Sequence, residues 1–218
     1  MTARAVLLLG AVAAAVVLSG CQTAPASRDY SAFQRAAPRS ILIVPPLNKS
    51  TDLNAGYGFL STATEPLAEH GYYVFPVAVV DEMFRQNGLP TAAEIHAVGL
   101  PKLREIFGAD AVLYPVIESY GTKYVVISST TVVNVTARLV DARSGELLWE
   151  GRAELHQGSS DGNGGLIGAL VGAALTQVLN SSRDAAHPMA KLVNVQLIDR
   201  AGQGLPYGPY SATPGRLP

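Results

Sequence analysis

From Val125 to Leu155 the chain alternates in a way that few structures satisfy. Val133, Val135, Ala137 and Leu139 fall on one side of an extended backbone, and Asn134, Thr136 and Arg138 fall on the other. A period of two with one apolar side marks a half-exposed antiparallel strand over Val125–Val140. Asp141-Ala142-Arg143-Ser144-Gly145 has turn chemistry, and Glu146 to Leu155 supplies the returning strand. Trp149, the single tryptophan, is expected in the core.

The upstream half reads as alternating strands and helices. Ser40-Ile41-Leu42-Ile43-Val44 is a β-branched run stopped by Pro45-Pro46, the pattern of a buried strand. Leu47 to Asp52 is polar and reads as a loop, with Ser50, Thr51 or Asp52 available to cap the next helix. That helix spans Tyr57–Glu69, with Pro66 expected to kink or break it. Tyr72–Pro76 reads as a second strand and Val79–Gln86 as a helix ended by Asn87-Gly88. Thr91-Ala92-Ala93-Glu94 has capping-box form, and Leu100–Phe107 is a helix closed by Gly108. Ala111–Ile117 reads as a third strand. An apolar helix is expected from Leu166 to about Ser182, and a weak strand or edge from Leu192 to Ile198. The order predicts an α/β fold. A mixed sheet carries helices on one face and ends in an antiparallel meander and a C-terminal helix.

The N-terminus carries an address. Arg4 precedes an apolar stretch, Ala5–Leu18, that is too short to span a bilayer, which takes about 20 residues. It ends in Leu18-Ser19-Gly20-Cys21, small residues before the chain's single cysteine. The order resembles a bacterial lipobox. Residues 1–20 would then be a signal peptide and Cys21 the lipid-bearing first residue. One acyl chain binds a bilayer only marginally, and several make a lasting anchor. Gln22, by its resemblance to lipoprotein sorting signals, favours the outer membrane over inner-membrane retention. Residues 21–39, rich in Ser, Ala, Pro and Arg, read as a flexible linker that lets the folded part stand off the membrane. Residues 40–200 then form one domain of about 160 residues, and 201–218 an irregular tail.

Two segments carry a family likeness: Pro45-Pro46-Leu47-Asn48-Lys49-Ser50-Thr51, and the hairpin from Leu139 to Trp149. Both resemble the curli-secretion lipoprotein, the lipoproteins that activate penicillin-binding proteins, and the N-terminal domain of the Tol-Pal translocation protein. From Ser40 to Ser182 the chain is more closely similar to a family of small bacterial outer-membrane lipoproteins. The resemblance implies a compact α/β domain that binds other envelope proteins, often itself, without catalysis. The curli pore uses two long amphipathic hairpins. Here one is visible, which argues against a self-assembled pore.

The candidate chemistry is sparse. Gly158-Ser159-Ser160-Asp161-Gly162 matches the G-x-S-x-G nucleophile elbow, with Ser160 as nucleophile. Only Asp184 and His187 follow, three residues apart, and a triad needs its acid and base on separate strand ends. Gly162 to Gly168 nearly matches a dinucleotide loop, but its last glycine is one place late and no ribose-binding acid follows. His70, His96, His156 and His187 lack metal-ligand spacing and are expected mostly at the surface. No metal and no cofactor is expected. Gly164, Gly168 and Gly172 lie four apart, a helix face that admits close approach by another helix. Such a face suits either packing on the protein's own sheet or docking on a partner or second copy.

A net charge of −1 with 15% charged residues gives no basic excess for nucleic acid. The reading is a lipid-anchored, periplasm-facing docking or accessory component of an assembly or transport complex in the outer membrane. A regulator of a cell-wall synthase is the alternative, and a serine hydrolase using Ser160 the third.

Overall fold

The structure, a computed structural model, describes residues 28–125, 128–158 and 186–218. The expected helix at Leu166 and the Ser160 loop lie outside these residues. Among the described residues one mixed sheet runs in the order β3-β1-β4-β5-β6. At its parallel end β1 (Ser40–Ile43) lies between β3 (Tyr73–Val74) and β4 (Ala111–Val125). β5 (Ser128–Asp141) and β6 (Leu147–Gly158) complete the antiparallel end. β2 (Leu47–Asn48) adds in parallel to β4 at Val116 and Ile117.

Alternation along β1 builds two cores. Ile41 and Ile43 face α2 (Ala55–Glu69) and α6 (Ala186–Asp199), in one cluster with Val133, Val135, Ala137, Leu139 and Trp149. Leu42 and Val44 face the other way, onto Val80 and Phe84 of α3 (Val77–Gln86), Ile95 of α4 (Ala92–His96) and Leu103 of α5 (Leu100–Phe107). Helices therefore cover both faces of the parallel end, not one face. A central parallel strand has to be buried on both sides, which is why β1 reads as unbroken apolar sequence. The expected inward row of β5 is buried, and Trp149 is in the core.

Several local expectations fail for identifiable reasons. Leu47–Asn48 is a strand, because parallel pairing to β4 satisfies its backbone despite polar side chains. β4 does not stop at Ile117. It continues through polar residues with a register irregularity between Ile117 and Ser119, and pairs with β5 out to Val125. Helix α2 starts at Ala55 after Asn54, with no side-chain cap, and runs unbroken past Pro66. The turn before Pro66 is braced by Asn194 of α6, whose amide donates to Phe59 O (3.2 Å) and Thr62 Oγ1 (2.9 Å). Leu192–Ile198 is helical, within α6. Ala186, Met189, Ala190, Val193 and Leu197 are buried at helical spacing, a pattern that seven residues alone cannot distinguish from alternation. Thr91 does form both bonds of its capping box with Glu94.

The linker expectation also changes. Residues 28–39 are packed, not free: α1 (Ser31–Ala36) buries Phe33, and Tyr30 before it is buried too. The tail, residues 201–218, has no helix or strand but is held closely. Tyr30 donates to Gly204 O (2.8 Å), Trp149 Nε1 to Gln203 O (3.0 Å) and Tyr72 to Pro206 O. Burial pushes the Tyr72 phenol up, so it remains a donor.

His70 sits under this strap. It is 3% exposed, stacks on Tyr207 at 4.3 Å, and faces Asp199 of α6 through Nδ1 at 3.3 Å; among the described residues its Nε2 has no hydrogen-bond partner. Glu69 adds negative charge, and the Arg216 guanidinium lies 5.7 Å from the Tyr207 ring. Burial holds the imidazole below its ordinary 6.5, against the pull of Asp199. A base with a depressed folded pKa contributes stability above its unfolded value. That stability is lost as pH falls through 6.5 toward the folded value. The urea midpoint is therefore expected to drop between about pH 7.5 and 5.5, and His70→Gln should flatten that drop. An unchanged slope in the variant would show that His70 does not set it.

Candidate docking surface

The segment Pro45–Thr51 that carries the family likeness leads into the loop that bears Leu53, the most exposed large hydrophobic residue among those described. Pro45 and Pro46 end β1, and β2 shifts the chain along β4, where Lys49 N donates to Ile117 O at 2.9 Å. Asn48 then organises the loop. Its Oδ1 accepts from Ser50 N (3.0 Å) and Ser50 Oγ (2.7 Å), and its Nδ2 donates to Asp52 O (2.7 Å). Asp52 Oδ1 accepts from Asn54 N at 2.8 Å, leading the chain into α2. Lys49 pairs with Glu118 of β4 at 2.9 Å. These side-chain-to-backbone turns do locally what a regular ladder does elsewhere.

The loop so held points Leu53 into solvent, 91% exposed, with Tyr57 59% exposed four residues later at the start of α2. Immediately behind, Gly58 lets α2 cross β4 closely: a Cβ there would lie 2.2 Å from the Tyr120 hydroxyl oxygen. A rigid rim carrying two apolar side chains is what a preorganised contact requires, since little side-chain and loop entropy is left to lose on binding.

The rest of the surface offers less chemistry. A shallow depression of about 440 Å³ is lined by Pro101, Arg104, Glu105, Gly108, Ala142 and Arg143. Among the described residues no group of three or more His, Cys, Asp or Glu is placed to hold a metal ion, and no helix is long and apolar enough to cross a membrane. The histidines are not mostly at the surface. His70 is buried and His96 is half-buried, with its Nε2 2.9 Å from Pro45 O, while His156 and His187 are exposed. Core packing explains the first two, and spacing alone could not separate the pairs.

Cys21, Ser160, Gly164, Gly168 and Gly172 lie outside the described residues. Sequence reasoning found the Pro45–Thr51 segment but passed over Leu53 and Tyr57, because exposure of an apolar residue is a tertiary property. It also passed over Arg28. That guanidinium lies 5.9 Å from the Trp149 ring centroid and donates to Glu150 O on the outer edge of β6. Arg35 pairs with Glu146 at 2.8 Å. Together they fix the start of the body to the β6 side of the sheet.

Comparison with known proteins extends these observations. The family described as "Putative lipoprotein GNA1162-like" matches residues 28–210. The chain is similar to NMB1124/NMB1162 of Neisseria meningitidis serogroup B (strain ATCC BAA-335 / MC58), with 49% identity over 193 residues. The match covers 88% of this chain and 89% of that protein. Among solved structures, lipoprotein GNA1162 from Neisseria meningitidis is 53% identical, covers 66% of this chain and 100% of its own, and superposes with a TM-score of 0.55. The PelC dodecamer from Paraburkholderia phytofirmans is more distant. It is 18% identical, covers 73% of this chain and 84% of its own, and has a TM-score of 0.44.

Proposed function

The chain belongs to the GNA1162-like lipoprotein family, and from that premise we propose that it is a non-enzymatic envelope lipoprotein. Lipid on Cys21 anchors it, and the Leu53–Tyr57 rim docks it onto another protein of an envelope assembly or transport complex. Leu18-Ser19-Gly20-Cys21 supports the anchor, and Gln22 supports the outer membrane with the body facing the periplasm. Confinement to a surface raises the effective concentration of a tethered module for its partner, so a small docking patch suffices. Gly164, Gly168 and Gly172 are proposed as a helix-packing or partner face, and self-association is one way to use it.

The observation that carries the reading is Leu53, 91% exposed on a loop that its own hydrogen bonds hold in one shape. Scattered exposed leucines are ordinary on mobile surfaces; a rigidly presented Leu–Tyr pair favours a partner with a complementary apolar groove. The test is photo-crosslinking in intact cells. A crosslinking residue at Leu53 should capture an envelope protein, one at Glu82 should not, and Tyr57→Asp should reduce capture from position 53 by at least about tenfold, the size of one lost anchor of about 1.4 kcal/mol. Capture of a cell-wall synthase would favour the regulator reading over assembly. Equal capture from both positions would remove the rim from the proposal. Loss of function in Ser160→Ala at normal abundance would instead revive the hydrolase.

A further inference from the structure

We infer that the end of the chain is an acid-released latch: when the His70 ring takes up a proton, residues 207–218 lift from His70 and Gly71 and bare the Tyr72 ring beside β3. The hydrogen bonds divide the tail into a fixed part and a part that can lift. Residues 203–206 are held by three donors from the body, Trp149 Nε1 to Gln203 O, Tyr30 to Gly204 O and Tyr72 to Pro206 O. Leu205 is fully buried, and its N–H donates to Ile198 O at 2.8 Å.

Residues 207–218 instead close on the tail itself. Tyr207 N donates to Arg216 O (2.9 Å), Gly215 N to Tyr207 O (2.9 Å) and, at the base, Gly202 N to Pro218 O (3.1 Å). Among the described residues two hydrogen bonds join this loop to the rest of the fold, Gly208 N to His70 O (2.8 Å) and Tyr210 N to Gly71 O (3.0 Å). The third tie is the stack of Tyr207 on the His70 ring. Opening these ties leaves the sheet intact, so it costs less than global unfolding.

His70 is therefore placed where its charge acts on the latch alone. A neutral ring has one N–H, and Asp199 lies 3.3 Å from Nδ1 to accept it. A charged ring has two, and Nε2 is buried with no hydrogen-bond partner among the described residues. The charged groups around the ring are Asp199 of α6, Glu69 at the end of α2 with Lys191 of α6 near it, and Arg216 over the Tyr207 ring. Asp199, Glu69 and the Leu205 carbonyl favour the charged ring, and burial outweighs them. Lifting the loop lets water reach Nε2, so the open form takes up the proton more readily and gains on the closed form as pH falls. Gly208 lies so close that a Cβ on it would be 2.9 Å from Tyr72 Cδ1. Its departure uncovers the Tyr72 ring next to Tyr73, which is already exposed on β3.

The test is amide hydrogen exchange, read by NMR on the full chain at about pH 7.5 and 5.5 and corrected for the intrinsic rate at each pH. Protection at Gly208 and Tyr210 is expected to be lower than at Val135, in the central strand β5, at both pH values. It should also fall at least about threefold between them. In His70→Gln the fall should vanish. Asp199→Asn removes a group that draws the proton in, so its fall should equal or exceed that of the natural chain. Protection at Gly208 and Tyr210 that matches Val135 would show that the loop opens only with the whole fold, and would overturn the latch. An absent fall in the natural chain, an equal fall in His70→Gln, or a smaller one in Asp199→Asn would overturn the part assigned to His70.

Discussion

Replacing Trp149 with alanine is expected to lower folding stability by about 3–5 kcal/mol, the cost of deleting a fully buried aromatic side chain. Trp149 is 2% exposed and sits opposite Leu139 on β5. The site cannot collapse easily, because the ring occupies space cleared by Gly151. A Cβ at Gly151 would lie 2.4 Å from the Trp149 ring and 2.9 Å from Leu197. The indole also ties three parts of the chain together: β6 that carries it, the tail through Gln203 O, and Arg28 above its face. Alanine leaves the Gln203 carbonyl without its donor, an added cost of about 1–3 kcal/mol if water cannot reach it. Trp149→Phe keeps a ring and loses the N–H, so its cost should be clearly smaller. Urea unfolding of both variants checks the ordering. A drop below about 1 kcal/mol for alanine would show that the ring is not a keystone of this core.

Where the chain's local chemistry decided the structure, it was legible. β5 announces its inward face by period two, Leu100–Phe107 is bounded by Gly99 and by Gly108 in the left-handed conformation, and Thr91 signals its capping box. What was not legible depends on partners distant in sequence. The helix Ser31–Ala36 is only six residues long and lies in a stretch that looks like linker. It is held because Tyr30 reaches Gly204 and Phe33 meets the Tyr72 ring edge-on at 6.5 Å. The strand Leu47–Asn48 exists because β4 offers a free edge at Val116 and Ile117. The docking rim was half legible: Asn48, Ser50 and Asp52 are turn formers, but only the fold shows that their turns leave Leu53 in water.

Gly71→Ala is expected to be the most damaging single methyl group in the described structure, at about 2–4 kcal/mol. Two costs add. Gly71 has φ +85, where a residue with a Cβ pays about 1–2 kcal/mol. The added Cβ would also lie 2.2 Å from the Ser211 backbone nitrogen, a contact that no rotamer change relieves. The strap is fastened there from both sides: Gly208 N donates to His70 O at 2.8 Å and Tyr210 N to Gly71 O at 3.0 Å. Gly208 in turn comes so close that a Cβ on it would lie 2.3 Å from Gly71 O. Gly88 separates the two costs, because it has φ +76 and nothing within 4 Å of its Cβ position. Gly88→Ala should therefore show the backbone cost alone, about 1–2 kcal/mol, and leave the tail protected. Gly71→Ala should show both costs and expose Arg216 to trypsin faster than global unfolding does, since its strap detaches before the sheet opens. Equal destabilisation by the two variants, with unchanged cleavage at Arg216, would mean that the tail contributes no stability through this contact.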